Sequence, residues 1–148
     1  MSAINDLANG EATTRSYVLC VAASFSYDDF TSGTGLPFCT LPIGAYVLGG
    51  LVNITTQWVA ATSAGLEVGD SSDVTRYLDS FDINSGTPLQ EFDDVNLFDA
   101  AGGGNNFKVA AATDEVLIEI TVVGAVTAGV GEACLFYVDP TKADENYE

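Results

Sequence analysis

The chain has 148 residues, the size of one ordinary domain, and carries 4 Lys and Arg against 21 Asp and Glu, a formal net charge of −17. With so few cations it lacks the basic surface of a nucleic-acid binder, and anionic membranes repel it. It contains no His, the usual general base near neutral pH, and no nucleophile–base pattern, so we expect no enzyme. Hydrophobic residues make up 47% of the chain, which favours a folded apolar core over acidic disorder.

The first third of the chain combines a polar start with strong strand signals. Residues 1–15 are small, polar and weakly patterned, so we expect an extended N-terminal arm. Residues 17–27 are rich in β-branched and aromatic side chains, which predicts a strand. Residues 38–41 lie between two prolines and are expected to form an edge strand. Residues 45–58 form a long apolar run, whose central Gly-Gly pair predicts a bulge.

The middle of the chain carries shorter and more polar elements. Residues 66–68 predict a short strand, which a polar loop at residues 69–75 follows. Residues 76–83 alternate weakly between apolar and polar side chains, which predicts a further strand. Residues 84–106 show the weakest pattern, with an acidic patch and three consecutive glycines, so we expect mainly loop there.

The end of the chain has the clearest strand pattern. Residues 116–123 and 130–138 are two strong β runs, and the segment 124–129 between them predicts a hairpin connection. Seven or eight short strands with frequent Gly, Pro, Asp and Ser turns predict an all-β antiparallel sandwich of jelly-roll type with little helix. We therefore expect one β-sandwich domain at residues 16–139, preceded by the arm and followed by an acidic C-terminal tail at residues 140–148.

Three cysteines occur at wide spacing, Cys20, Cys39 and Cys134. No CxxC pair is present, so the sequence does not suggest a zinc site. Cys20 and Cys134 lie inside apolar strand runs, where we expect buried free thiols. A disulfide stays open as the alternative.

A polar loop offers a candidate metal site. Asp70 and Asp73 lie among Ser and Thr hydroxyls, and such oxygen-rich loops are what Ca²⁺ requires. The spacing does not match an EF-hand, and Asp and Ser also bond to their own backbone in tight turns, so a structural turn is the alternative. We expect Arg76 to pair with Asp70 or Asp73. No other cofactor is predicted.

Three stretches of this sequence together resemble a known family. They are the Pro-Gly-apolar run at residues 41–49 with the polar positions that follow it, the Gly-Asp…Asp…Arg-Tyr elements at residues 66–78, and residues 127–133 before the last strand. In this order they are similar to small structural proteins of tailed bacteriophages, especially head decoration (cement) proteins. The resemblance covers residues 36–138.

The resemblance implies a structural role without catalysis. Such proteins bind the outer surface of an expanded capsid and clamp neighbouring major capsid proteins, and many are trimers built on jelly-roll or related β folds. We therefore expect a virion protein on the outer capsid surface, made in the host cytoplasm, that binds the major capsid protein and forms a homo-oligomer, with a trimer favoured. We expect exposed aromatic side chains to contribute contacts, and Trp58 to lie in the core or an interface. The candidate contacts are Phe25, Tyr27, Phe30 and Phe92.

The alternative function is a Ca²⁺-assisted carbohydrate-binding jelly-roll module of a phage fibre or tail. In that case Asp70 and Asp73 would hold the metal ion.

Overall fold

The computed structural model describes residues 16–60, 62–86, 88–92 and 114–143. Their regular structure is β, apart from one turn of 3₁₀ helix at Tyr27–Asp29. The prediction of an all-β sandwich with little helix is confirmed. The strands are β1 (Ser16–Ser26), β2 (Leu36–Leu41), β3 (Tyr46–Thr56), β4 (Ser63–Asp70), β5 (Asp73–Asp82), β6 (Leu89–Glu91), β7 (Asp114–Val123) and β8 (Val130–Ala143).

The eight strands form two four-stranded antiparallel sheets. The first sheet has the order β1-β8-β3-β6 and the second has the order β2-β7-β4-β5. Most strands that follow one another in the chain, such as β1 and β2 or β7 and β8, therefore lie in opposite sheets, whereas β4 and β5 pair within the second sheet. Two packed sheets wound in this way make a jelly roll, in which each sheet turns one face to a shared core.

The core lies between the sheets and follows the two-residue period of the strands. In β7 every second side chain is fully buried, at Val116, Ile118 and Ile120, and β4 contributes Leu66 and Val68 in the same way. The first sheet packs against these side chains with buried residues of β3 and β8, namely Val47, Val52, Ile54, Ala133 and Leu135.

An aromatic cluster closes one end of the core. Trp58 is buried, and its ring centroid lies 6.4 Å from that of Phe25 and 6.1 Å from that of Phe30. Phe25 and Phe30 meet edge to face at 5.6 Å, an arrangement that aromatic quadrupoles favour. Phe25 and Phe92 are buried and Phe30 packs against the core, so the expectation that these side chains make exposed contacts was wrong. Tyr27 is exposed.

The predicted hairpin between the last two strands was also wrong, because β7 and β8 belong to different sheets. The connecting residues cross from one sheet to the other and bond to the segment after β3. Val59 N–H donates to the Ala128 carbonyl, and Thr127 N–H donates to the Val59 carbonyl. Gly129 has φ +152°, and a Cβ there would meet the Trp58 ring at 2.5 Å. A short connection that contains glycine has the same sequence pattern whether it joins two strands of one sheet or crosses between sheets, so the sequence alone does not separate the two cases.

Most predicted strands are present, and several are longer than the sequence pattern indicated. The bulge expected in the long apolar run is confirmed, since the register of β3 shifts between Val47 and Gly49. The predicted arm at residues 1–15 lies outside the described residues, as does most of the loop expected at residues 84–106. The last strand runs to Ala143, into the predicted tail.

The described residues contain no helix long and apolar enough to cross a membrane.

Candidate interaction faces

Each sheet has a second face, which points away from the core. In the first sheet this face is almost free of charge along β1, β8 and β3. Cross-strand register places Val18 beside Val138, Cys20 beside Phe136, and Ala22 beside Cys134. On the other side of β8, Leu51 of β3 lies opposite Cys134. We call these residues, Val18, Cys20, Ala22, Leu51, Cys134, Phe136 and Val138, the apolar face.

Several side chains of the apolar face are open to solvent. Val18 is 59% exposed, Cys20 is exposed, and Leu51, Phe136 and Val138 are half-buried. The described strands form two layers, so no described strand lies over this face. Carboxylates border the face on two sides: Glu132 lies opposite Ser24 and Asn53, and Glu91 of β6 lies opposite Leu51. A contiguous apolar surface is a common feature of interaction sites, so this face is the candidate.

The outer face of the second sheet has the opposite character. Its β7 and β4 residues pair Glu119 directly with Glu67, and Thr121 with Gly65. Asp82 lies opposite Gly65 on the far side of β4. We call the carboxylates of this sheet the acidic face, which comprises Glu67, Asp79, Asp82, Glu115 and Glu119.

The pairing of like charges affects the ionisation of Glu67. Partial burial raises its pKa above the ordinary value, and the negative charges of Glu119 and Asp79 raise it further. Ionisation of Glu67 therefore lowers the stability of the folded chain. A face of this kind repels nucleic acid, and it repels the acidic face of another copy.

A shallow polar hollow opens on the second sheet beside Glu67. Its lining consists of main-chain atoms and small or polar side chains, among them Ser63, Ser80, Asp82 and Thr121. Sugar-binding sites need an apolar platform as well as polar groups. No aromatic ring contributes to this described lining, so the hollow lacks the stacking surface that a carbohydrate site would use.

The structure brings the two predicted metal ligands, Asp70 and Asp73, together in the β4–β5 turn. Asp70 is only 2% exposed. One of its oxygens, Oδ1, accepts hydrogen bonds from the Ser72 N–H at 2.8 Å, the Ser72 hydroxyl at 2.6 Å and the Asp73 N–H at 2.9 Å. The other oxygen, Oδ2, accepts from Nε of Arg76, which confirms the expected pairing of Arg76 with Asp70.

These bonds set the ionisation of Asp70. Burial alone would raise its pKa, but the hydrogen bonds from Ser72 and Arg76 and the positive charge of Arg76 outweigh it, so the pKa is lowered. Asp73 bonds separately to Thr75, through the Thr75 N–H at 3.2 Å and its hydroxyl at 3.0 Å. Both carboxylates therefore hold the turn.

Across residues 16–60, 62–86, 88–92 and 114–143, no group of three or more Cys, Asp or Glu side chains is placed to hold a metal ion. The Ca²⁺ site at Asp70 and Asp73 stays a prediction. What the geometry shows at this turn is a buried carboxylate whose two oxygens already accept hydrogen bonds from protein donors.

The apolar face was not predicted from the sequence, although a signal for it exists. Along residues 17–27 apolar side chains occur at both parities, with Val18, Cys20 and Ala22 on one and Leu19 and Val21 on the other. Such a run is typical of a strand covered on both faces. In this fold one of those faces is the outer one, and for this reason Cys20 is exposed rather than buried as expected.

No protein-family model matches the sequence, and no curated protein matches it. Solved structures do match the fold. A chain of the cyanophage Pam1 capsid asymmetric unit aligns with a TM-score of 0.65 and 21% identity, over 84% of this chain and 86% of that chain.

Two further phage capsids contain similar chains. The acid-stable capsid of Helicobacter pylori bacteriophage KHP30 gives a TM-score of 0.61 at 16% identity, over 83% of this chain and 88% of that one. The capsid of Ralstonia phage GP4 gives 0.57 at 15% identity, over 83% and 86%. At these identities the likeness is one of fold, and the fold of this chain is one that chains of phage capsids adopt.

Proposed function

We propose that this chain is a structural protein of a phage capsid, a decoration protein that attaches to the outer surface of the shell. The observation that carries this proposal is the apolar face, which carboxylates only border, on a jelly roll whose fold matches chains from three phage capsids. A protein of this kind acts by binding alone and stabilises contacts between neighbouring major capsid proteins.

The distribution of charge suggests how the chain is oriented on the shell. Removing the apolar face from water costs the least desolvation free energy, because the carboxylates of this side, Glu132 and Glu91, lie at its border. The acidic face is the side that gains from staying in water, since burying Glu67 beside Glu119 would strengthen their repulsion. We therefore place the apolar face against the major capsid protein and the acidic face outward.

The negative charge of the chain also limits how copies of it can associate. A homotrimer, the state we favour, brings together three chains that each carry −17. Contacts between copies then have to avoid the acidic face, because like charges across an interface oppose association. Surfaces without carboxylates remain for contacts with the shell and between copies.

A matched pair of substitutions tests this orientation. Val18 on the apolar face and Val123 on the outer side of the second sheet are 59% and 52% exposed, so both tolerate a polar side chain. Val18→Glu places a carboxylate in the proposed interface, and we expect it to weaken attachment by about 30-fold or more. Val123→Glu adds the same charge on the opposite side, and we expect less than about a threefold change.

The measurement is co-sedimentation of the purified chain with shells of the phage that encodes it, prepared without this protein. Sedimentation velocity on the free chain reads its oligomeric state, and thermal melting checks that both variants fold. The capsid role fails if the unsubstituted chain does not sediment with the shells, or is absent from purified virions. If both variants lose attachment equally, the orientation is wrong although the capsid role survives.

A further inference from the structure

Two of the three cysteines meet on the apolar face. Cys20 of β1 lies opposite Phe136, and Cys134 of the neighbouring strand β8 lies opposite Ala22, so the two thiols are diagonal neighbours on one face. Their Sγ atoms are 2.7 Å apart. Two sulfurs this close lie within reach of a disulfide bond.

We propose that Cys20 and Cys134 are a redox-active pair that a small disulfide such as oxidised glutathione converts to a cross-strand disulfide. The inference does not depend on the capsid role, because it stands on the position of the two sulfurs and their access to solvent. The third cysteine, Cys39, lies in β2 of the other sheet and packs against the core. It is therefore the internal control.

Access to the pair is open. Cys20 is exposed, and Cys134 is half-buried. A shallow hollow beside Cys134 is lined by Ala22, Ser24, Leu51 and Glu132 among others, which leaves room for a small reagent at the sulfur. In the free chain an oxidant can thus reach the pair while both sheets remain folded.

The exchange balances as two successive displacements. The Cys20 thiolate attacks one sulfur of glutathione disulfide, which breaks the glutathione S–S bond, forms a mixed disulfide and releases one glutathione thiolate. Cys134 then loses its proton to solvent and attacks Cys20 Sγ, which forms the Cys20–Cys134 bond and releases the second glutathione. The two protein thiols lose two electrons and two protons, and glutathione disulfide gains them.

The order of attack follows from the surroundings of the two sulfurs. Partial burial and the neighbouring Cys20 raise the pKa of Cys134 to about 11, so little of it is thiolate near neutral pH. Cys20 is the more exposed of the two sulfurs and is the one that a reagent in solution meets first. We therefore assign the first attack to Cys20 and the closing step to Cys134.

The bond would fasten an edge strand to the middle of its sheet. Among the described strands, β1 is the outermost strand of the first sheet and pairs only with β8. Because Cys20 and Cys134 are 114 positions apart in the chain, the disulfide closes a long loop and restricts the unfolded state strongly. We expect the oxidised chain to melt roughly 10 °C higher than the reduced chain.

The test uses the full chain in a buffer of reduced and oxidised glutathione, followed by alkylation under denaturing conditions. Before alkylation, we expect the intact mass to fall by two hydrogens. After alkylation, Cys39 should be the one alkylated cysteine. A non-reduced peptide map should show the segments that hold Cys20 and Cys134 joined to each other. The Cys39→Ser variant should form the same bond. Cys20→Ser and Cys134→Ala should not, and their melting temperatures should be the same with and without the oxidant.

Three outcomes would overturn the proposal. One is a stable glutathione adduct on Cys20 with Cys134 still alkylated, which would mean that the second sulfur cannot reach the first. Another is a disulfide between two chains, seen as a dimer on a non-reducing gel. The last is a bond that forms with no rise in melting temperature, which would remove its role in fastening β1.

Discussion

The two outer faces of this jelly roll are built on the same backbone pattern and carry opposite chemistry. On the first sheet the outward positions of β1 and β8 hold residues such as Val18, Cys20 and Phe136. On the second sheet the outward positions of β7 and β4 hold Glu119 and Glu67. The inward positions of both sheets supply the buried apolar core, for example Leu135 in the first sheet and Ile120 in the second.

The inward side chains stabilise the sandwich, whereas the outward side chains distinguish this protein from others of the same fold. Burial of the inward side chains accounts for the sandwich, since the hydrophobic effect acts on any apolar surface removed from water. Nothing in the fold requires one outer face to be apolar and the other acidic. The proposed interaction with the shell therefore rests on the asymmetry of the outer faces and not on the core.

The largest effect on the second sheet is expected from the buried carboxylate of its turn. Asp70→Ala removes the partner of Arg76 and the acceptor of the Ser72 and Asp73 hydrogen bonds. Breaking a buried ion pair costs about 3–5 kcal/mol, and because Arg76 keeps some contact with water we expect about 3 kcal/mol. Urea unfolding followed by tryptophan fluorescence measures the loss.

The neighbouring carboxylate supplies the control for that experiment. Asp73→Ala removes hydrogen bonds to Thr75 and leaves the Asp70–Arg76 pair in place, so about 1 kcal/mol is expected. Equal losses in the two variants would show that the turn, rather than the ion pair, carries the stability.

A second prediction compares a glycine of each sheet. A Cβ at Gly50, on the inward side of β3, would lie 2.3 Å from Cε2 of Phe92 and 2.5 Å from the Cys134 carbonyl oxygen. A Cβ at Gly65, on the outer side of β4, would meet nothing within 4 Å. We expect Gly50→Ala to lower the free energy of unfolding by about 1–3 kcal/mol.

Gly65→Ala should raise stability by a few tenths of a kcal/mol or leave it unchanged, because alanine has fewer conformations to lose on folding. Chemical unfolding of both variants provides the comparison. A loss at Gly65 as large as that at Gly50 would mean that the outer side of β4 is covered by another part of the chain.

Much of this fold is predictable from the sequence because it depends on local alternation. The strands at residues 17–27, 45–58 and 116–123, the bulge in the second of them, and the jelly-roll class all follow from apolar periodicity and turn residues. The pairing of Arg76 with an aspartate of the preceding turn was likewise predictable, since the residues are close in sequence.

The remaining features depend on which strands become neighbours, and local pattern does not contain that information. The sequence of β7 and β8 is compatible with a hairpin, but they lie in opposite sheets. Cys20 and Cys134 are far apart in the chain and meet because β1 and β8 pair. The apolar face is missed for the same reason, since an apolar strand predicts burial on both sides and only the topology shows that no described strand covers one of them.

The smallest effect expected concerns the charge of the acidic face. Glu67 lies directly opposite Glu119, and like charges at such positions destabilise a sheet by about 0.2–1 kcal/mol. Glu67→Gln removes this repulsion and should raise the free energy of unfolding at pH 7 by that amount. Glu115→Gln is the matched control, because Glu115 lies opposite Thr40 rather than another carboxylate.

The pH dependence gives this prediction its sign. Because the pKa of Glu67 is raised in the folded state, the folded chain binds this proton more tightly than the unfolded chain does. Its contribution to stability is therefore fully present below the ordinary pKa of 4.5 and is lost as pH rises through the folded-state value. The advantage of Glu67→Gln should vanish in unfolding measurements at low pH.

Asp70 gives the opposite dependence, since its lowered pKa stabilises the fold above the ordinary value of 3.8 and that stability is lost as pH falls through the folded-state value. The unsubstituted chain should therefore gain stability as Glu67 takes up its proton and lose it again as Asp70 does. In Glu67→Gln the gain should disappear and the loss should remain. If Glu115→Gln stabilises the chain as much as Glu67→Gln does, the strain of the acidic face is a property of its net charge and not of the Glu67–Glu119 pair.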